Sequence, residues 1–415
     1  MRLDMIKSAI GLSQPLNYSK WQFRLFRIIF GIYLIIHFTM LIPYGPELFS
    51  RTGLIANPEW IPTYSLFPNL LLLFDTPLGT QLFLGALAAL AMLFTVGWKR
   101  PWIAFVLWYG WACLLNRNIF INNPGLPMVG WILLACALIP DDKENPNSNT
   151  PWEMPAALFW GAWFIMAFGY TVSGIHKMSS PSWPDGTAIL RLLQNPLARD
   201  VPWREWLLLG PQWIFNGMTY FSLGLELFFL PLALFVWTRP WVWLAMVGMH
   251  LGILSLVSFA DLTTGVLMIH LFTFDSRWIK PCGKRPQELI LFFDGVCGLC
   301  NSAVDFVMAE DREKRFKFSA LQSGFAAQKL RPEQIRNLQS MVVSRDGKIF
   351  EKSNAVLEIC AQLGGVWRLA EIFRIIPDSI RDAVYSFVAT NRYRWFGKRE
   401  TCRMPTLEER ARFVG

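Results

Sequence analysis

Two cysteines spaced three apart, Cys297-Gly298-Leu299-Cys300, carry the strongest chemical signal in this 415-residue sequence. The apolar run Leu289-Ile290-Leu291-Phe292-Phe293 precedes them, and an apparent helix with Val304, Phe306, Val307 and Met308 on its apolar side follows. A buried strand feeding a Cys-x-x-Cys at a helix start places the first thiol where backbone N–H groups and the helix dipole favour a thiolate. The second thiol lies one turn on, close enough to attack a mixed disulfide formed by the first. Cys297 is thus the expected attacking thiol and Cys300 the resolving one. Asp294, three residues before Cys297, could cap the turn, tune the thiol or relay a proton.

The competing reading of such a pair is half a zinc site. A closed structural site needs four ligands, yet Cys360 and Cys402 form no second knuckle and the tail has no histidine. No metal is therefore expected. Cys360, within an apolar helix, reads as packing. Cys402 lies between Arg399 and Arg403, cations that would lower a thiol pKa; it either assists the active pair or is an inert surface thiol. Cys282 reads as a linker thiol or a palmitoylation site.

The elements that must hold this dithiol are legible around it. After the first strand and helix come a charged turn from Glu310 to Arg315 and a strand at 315–320. A helical linker around 324–338 and a strand at 340–344 follow. Arg345-Asp346-Gly347-Lys348 supplies hairpin-turn chemistry leading to a strand near 349–352. Helices are expected at 353–363, 366–374 and 378–390. No proline directly precedes the strand at 340–344, where thioredoxins place a cis-proline beside the dithiol.

The rest of the chain differs in kind. Overall, hydrophobic residues make up 53%, aromatics 15% and charged residues 17%, below the roughly 25% charged of a globular domain. Twenty Trp and 33 Phe suit lipid-facing surfaces and interfacial belts. Disordered and disulfide-scaffold classes are excluded. The net charge of +9 suggests a nucleic-acid protein until it is divided near residue 286. About half then belongs to sparse basic loops, and the rest to a tail whose charges alternate in sign, so nucleic acid is not an expected partner.

Apolar segments of span length fall at 25–42, 79–97, 101–116, 124–140, 156–175, 217–237, 241–259 and 262–276, giving an expected eight membrane helices. The segment 66–74 reads as re-entrant or interfacial, and 201–214 as an interfacial helix. With eight spans, Lys7, Lys20, Arg24, Arg27, Lys99, Arg100, Arg239, Arg277, Lys280, Lys284 and Arg285 all fall on one side. This places the N-terminus and the tail in the cytoplasm, with the bilayer of a bacterial inner membrane as host. Within the spans, His176 and Lys177 stand out, because ionisable groups at membrane depth are functional candidates by default. Lys177 could equally snorkel to the interface. Glu226 is either a helix-to-helix hydrogen-bonding group or part of a polar cavity with Lys177. His37, His250 and His270 read as hydrogen-bonded core residues.

Two resemblances follow from these residues. Ser173-Gly174-Ile175-His176-Lys177-Met178, with Trp183 and Gly186, resembles an element of the horizontally transferred transmembrane (HTTM) family, over roughly residues 18–280. Its best-known member is vitamin K-dependent gamma-glutamyl carboxylase. That resemblance implies that Lys177 is a base acting on a quinone or vitamin K-like molecule. A family histidine after paired asparagines, however, falls on Pro124 here, after Asn122 and Asn123.

Residues 288–415 closely resemble the DCC family of thiol-disulfide oxidoreductases, named for its Asp-x-x-Cys-x-x-Cys signature, here Asp294, Cys297 and Cys300. The match runs on through Phe318 to Ser323, Gly364 to Arg368, Arg381 to Tyr385, Asn391 to Gly397, and Cys402 with Pro405. It implies a thioredoxin-like α/β fold with redox chemistry that needs no cofactor.

The expected architecture is an all-α polytopic membrane domain (1–280), a linker (281–287) and a soluble thioredoxin-like α/β domain (288–415). The expected activity is membrane-anchored thiol-disulfide exchange with a protein or small-molecule substrate and a cellular reductant. The alternatives are a quinone-using membrane enzyme fed electrons by the dithiol, and a non-enzymatic membrane redox sensor or assembly factor.

Overall fold

The structure, a computed structural model, describes residues 16–141, 152–258, 260–336, 341–398, 405 and 409–415. Lys7, Cys402 and most of the acidic loop around residue 145 lie outside the described residues. The chain divides into two compact units, Met1–Phe274 and Asp275–Gly415.

The first unit is helical. Its main helices are α1 (Lys20–Leu41), α2 (Pro77–Val96), α3 (Arg100–Leu115), α4 (Gly125–Leu138), α5 (Ala156–Met178), α6 (Gln212–Leu227), α7 (Arg239–Leu256) and α8 (Ala260–Phe272). Ser19 caps α1 and Thr76 caps α2, each side chain accepting a backbone N–H of the first turn, which satisfies otherwise orphaned donors. The expected re-entrant piece is a short 3-10 helix, Leu70–Phe74, and the expected interfacial helix spans Pro202–Leu208.

All eight expected segments are helical, but the count of eight spans does not hold. Among the described residues, three stretches are long and apolar enough to cross a membrane: Lys20–Phe49, Pro77–Val96 and Ala156–Met178. Helix α3 has 16 residues, about 24 Å of rise, against a hydrocarbon core of roughly 30 Å. Helices α4 and α8 are shorter still. Helix α6 stops at Leu227, just past the buried Glu226. Windows of apolar residues therefore ran across helix ends and loops. The one-sided orientation built on an even count of eight does not stand on these helices.

The second unit wraps helices around a four-stranded mixed sheet. Its strands are β1 (Leu289–Phe293), β2 (Lys317–Ala320), β3 (Val342–Arg345) and β4 (Lys348–Glu351), ordered β2-β1-β3-β4. Strand β1 pairs parallel to β2 and antiparallel to β3, and β3 pairs antiparallel to β4. The β1–β2 crossover is helix α9 (Gly298–Glu310), as parallel neighbours require. Helices α10 (Gly324–Lys329) and α11 (Pro332–Arg336) lie between β2 and β3. Asp346 and Gly347 both have positive φ, +48° and +83°, the type I′ geometry that suits a two-residue hairpin. Helix α12 (Lys352–Leu363), a 3-10 helix (Gly365–Ile375) and α13 (Asp378–Phe396) complete the unit.

All five residues of β1 are buried, and alternation sends them to opposite faces. Leu289, Leu291 and Phe293 join Val304, Val307, Phe316, Phe318, Val343 and Ile359, with the two cysteines, in one core. Ile290 and Phe292 join Leu321, Leu330 and Val342 in the other. The central strand thus fixes where Asp294 and the dithiol turn emerge.

Candidate active site: a dithiol at a helix N-terminus

The chain leaves β1 at Asp294 and turns directly into the Cys-x-x-Cys. Cys297 is the N-cap of α9, and its Sγ accepts the Cys300 N–H at 3.5 Å. The Cys297 N–H donates to the Asp294 carbonyl at 3.2 Å. Asn301 stiffens the turn from inside, its Nδ2 donating to the carbonyls of Gly295 (3.0 Å) and Cys297 (2.8 Å). Both cysteines are free thiols. Cys297 is 0% exposed and Cys300 8%.

A backbone strap pairs with the turn that carries the first thiol. Cys297 forms an isolated antiparallel bridge with Lys398, and the Gly298 N–H donates to the Gly397 carbonyl at 3.2 Å. A Cβ on Gly298 would stand 2.2 Å from the Phe396 carbonyl oxygen, so this close approach requires glycine there.

Asp294 is 1% exposed and ties four donors together. Its Oδ1 accepts Gln322 Nε2 at 2.8 Å and the Val296 N–H at 3.3 Å. Its Oδ2 accepts the Tyr393 hydroxyl at 2.5 Å and Arg392 Nη2 at 3.1 Å. Burial alone would raise its pKa. The bonds from Tyr393, Gln322, Val296 and Arg392 outweigh burial and hold the carboxyl below its usual range. Of the three roles open to Asp294, the geometry supplies the turn cap and adds an anchor for α13. Gln322, Arg392 and Tyr393 fall within the DCC-like stretches of the sequence, yet nothing in their local pattern pointed to Asp294.

Burial, with a further contribution from the neighbouring Cys297, pushes the Cys300 thiol up to about 12. A thiol held protonated in this way is a slow nucleophile, because only the thiolate attacks. Tyr385 lies close by. Its hydroxyl accepts the N–H of Met341, which packs against the same core, at 2.9 Å. Cys360 lies in α12, pushed to about 11 by burial first and Glu371 second. Cys282 is half-buried, its N–H donating to Ala361 at 2.8 Å. The structure therefore brings Asp294, Cys297 and Cys300 together and keeps Cys282 and Cys360 on other elements.

In the first unit, Lys177 Nζ donates to Glu226 Oε1 at 2.6 Å and lies 4.3 Å from the Trp183 ring centroid. His176, in the last turn of α5, is exposed. The Tyr170 hydroxyl bridges His250 Nε2 (2.8 Å) and His270 Nε2 (2.7 Å), and His37 Nδ1 faces Asp261 at 2.8 Å. Just before α4, the Asn123 Oδ1 accepts the Gly125 N–H at 2.9 Å.

A buried strand, a Cys-x-x-Cys at the N-cap of the following helix and a carboxylate three residues before it make up the candidate site. A family model described as DCC1-like thiol-disulfide oxidoreductase matches residues 291–398. The uncharacterized protein YuxK of Bacillus subtilis is 39% identical over 127 residues, covering 30% of this chain and 93% of that relative. A chloroplastic DCC family protein of Arabidopsis thaliana is 38% identical over 137 residues, covering 31% of this chain and 77% of that relative. No solved structure matches the chain. Through its second unit, the chain belongs to the DCC family. The matched family model lies within that unit, and the HTTM resemblance of the first unit rests on its motif residues alone.

Two outcomes are expected. First, release of a mixed disulfide on Cys297 should accelerate about tenfold per pH unit between pH 7 and 9, as expected for a thiol whose thiolate is scarce throughout that range. Stopped-flow release of a chromogenic thiol from the preformed adduct measures this, and a flat profile would contradict it. Second, Lys177→Ala leaves Glu226 buried without its cation. Its melting temperature in detergent should fall below that of the double variant Lys177→Ala/Glu226→Gln, which removes both charges. The opposite order would remove the ion pair from the account.

Proposed function

We propose that this protein is a membrane-anchored thiol-disulfide oxidoreductase. The single observation that carries the chemistry is the Cys297 N-cap dithiol beside the buried Asp294. The order of elements supports a thioredoxin-like reading: β1-α9-β2, then the β3-β4 hairpin and α12, around a mixed sheet. Anchoring rests on the three stretches long and apolar enough to cross a bilayer.

In the reductive direction, the Cys297 thiolate attacks one sulfur of a substrate disulfide. The S–S bond breaks, a mixed disulfide forms, and the other substrate sulfur leaves as a thiolate that takes up a proton. Cys300 then loses its proton and attacks Cys297 Sγ, releasing the second substrate thiol and leaving a Cys297–Cys300 disulfide. Two electrons have moved to the substrate, and a thiol reductant of the cell must restore the dithiol. Sulfur carries every step, so no cofactor is required.

Both thiols are covered, which sets a condition on this cycle. Residues 396–398 must move before a disulfide reaches Cys297. The same occlusion favours a second reading, a membrane redox sensor whose dithiol titrates without sustained turnover. The base role for Lys177 is less well placed, since its ammonium is held on Glu226.

Cys297→Ser in the full chain should abolish the acceleration, over the rate with dithiothreitol alone, of the reduction of a small disulfide by added dithiothreitol. Cys300→Ser should instead accumulate a covalent adduct on Cys297, visible as a mass increase. Activity retained in Cys297→Ser would overturn the assignment. Reversible dithiol oxidation without turnover would select the sensor.

A further inference from the structure

The second unit carries an apolar face that its own core does not use. In the 3-10 helix Gly365–Ile375, Leu369, Ile372 and Ile375 recur every third residue, which stacks them on one side at three residues per turn. Ile375 is 83% exposed. In α13, Ile380, Val384 and Phe387 follow the i, i+4, i+7 spacing of a single helical face, and Phe387 is 63% exposed. Exposed apolar stripes on consecutive helices mark an interaction surface.

The inner sides of the same two helices hold the redox centre. Trp367 donates to Glu310 Oε2 at 2.8 Å and packs edge-on against Phe306, both on α9. Tyr385, Ala389 and Arg392 on α13 face inward toward the dithiol core. The outward stripe is therefore not a folding defect. It belongs to elements whose packing is already complete.

What covers the stripe follows from where the 3-10 helix is fastened. The Gly365 N–H donates to the Ile279 carbonyl at 2.7 Å, and Arg368 Nη1 donates to the Lys280 carbonyl at 2.9 Å. Gly364, at φ +71°, lies against Pro281 so closely that a Cβ would meet its nitrogen at 2.7 Å. These partners come directly after the apolar helix α8, which ends at Phe272. Six residues lie between Phe272 and Ile279, seven steps of chain that reach at most about 25 Å. Lys280, Lys284 and Arg285 are exposed in this segment. An amphipathic face joined to an apolar helix through so short a segment, with exposed cations in that segment, has the chemistry of a peripheral membrane contact.

We propose that the stripe formed by Leu369, Ile372, Ile375, Ile380, Val384 and Phe387 rests in the headgroup region of an anionic bilayer. The inference rests on the membrane anchoring proposed above. It adds that the redox unit lies on the lipid surface, so the dithiol's two supporting helices are held at the interface. Substrates reach the site along that surface, and thiol or disulfide carriers bound to the membrane are favoured over freely diffusing ones.

Photo-crosslinking of the full chain tests this. p-Benzoylphenylalanine is placed singly at Ile372, Ile375 or Phe387, at Lys348 as a polar control, and at Phe164 in α5 as an anchor control. Each variant is reconstituted in nanodiscs containing phosphatidylglycerol, irradiated and weighed intact. Lipid adducts are expected at Ile372, Ile375, Phe387 and Phe164, and none at Lys348. Yield at the first three should fall at least threefold in phosphatidylcholine alone, and equal yield would overturn the anionic preference. Adducts at Phe164 without any at the stripe, or crosslinks from the stripe to protein, would overturn the docking while leaving the anchor intact. No lipid adduct at Phe164 would overturn the anchoring itself, and the docking with it.

Discussion

A carboxylate taken out of water must be met by donors, and meeting Asp294 organises the second unit. Desolvating one ion costs several kcal/mol even after relaxation. Asp294 offsets that cost with a side-chain amide from the β2 turn, a backbone N–H of its own loop, a phenol and a guanidinium. The last two come from α13, nearly a hundred residues later in the chain. The pairing therefore does three things together. It fixes the loop that carries Cys297, docks α13 against α9, and brings the segment after α13 to the dithiol turn, where Gly397 and Lys398 pair with residues 297 and 298. Removing one member of such a buried pair characteristically costs about 3–5 kcal/mol, comparable with a small domain's entire stability. Because its donors hold the carboxyl below the usual range, the charge persists through neutral pH. Its contribution fades only as acid protonates the folded state.

Much of this was readable in the residues. The five-residue apolar run is β1, the Asp346-Gly347 turn is a hairpin, and the Cys-x-x-Cys opens a helix, because each is set by local chemistry within a few positions. The partners of Asp294 were not. Arg392 and Tyr393 sit on a helix whose local pattern shows no link to a loop 98 residues away; only the chain's topology joins them. The burial of Cys297 was hidden for the same reason, since the strap paired with its turn arrives from the far end of α13. In the first unit, the apolar segments were recognised and their lengths were not. Hydropathy accumulates across a break such as Phe228 as readily as along a continuous helix, whereas crossing a bilayer depends on unbroken rise.

The dithiol's environment divides the labour between its two sulfurs. Cys297 has the N-cap position, fully buried, with residues 397 and 398 paired to its turn. Cys300 sits inside the first turn, shielded, with its proton held tightly by burial. That asymmetry suits sequential attack and resolution, and it makes access and deprotonation the two controls on exchange. Both controls sit on α9 and α13, and α13 also carries half of the unit's outward apolar face. Chemistry and the apolar face are therefore coupled through α13.

The most direct test of the central claim is a redox titration of the full chain against dithiothreitol, with the state of each cysteine read by differential alkylation and mass spectrometry. The account predicts a reversible disulfide between Cys297 and Cys300, titrating as one two-electron couple in which a tenfold change in equilibrium constant corresponds to about 30 mV. Cys282 and Cys360 should remain thiols across the same range. If Cys297 stays reduced throughout, or pairs with a cysteine other than Cys300, the dithiol is not the reaction centre.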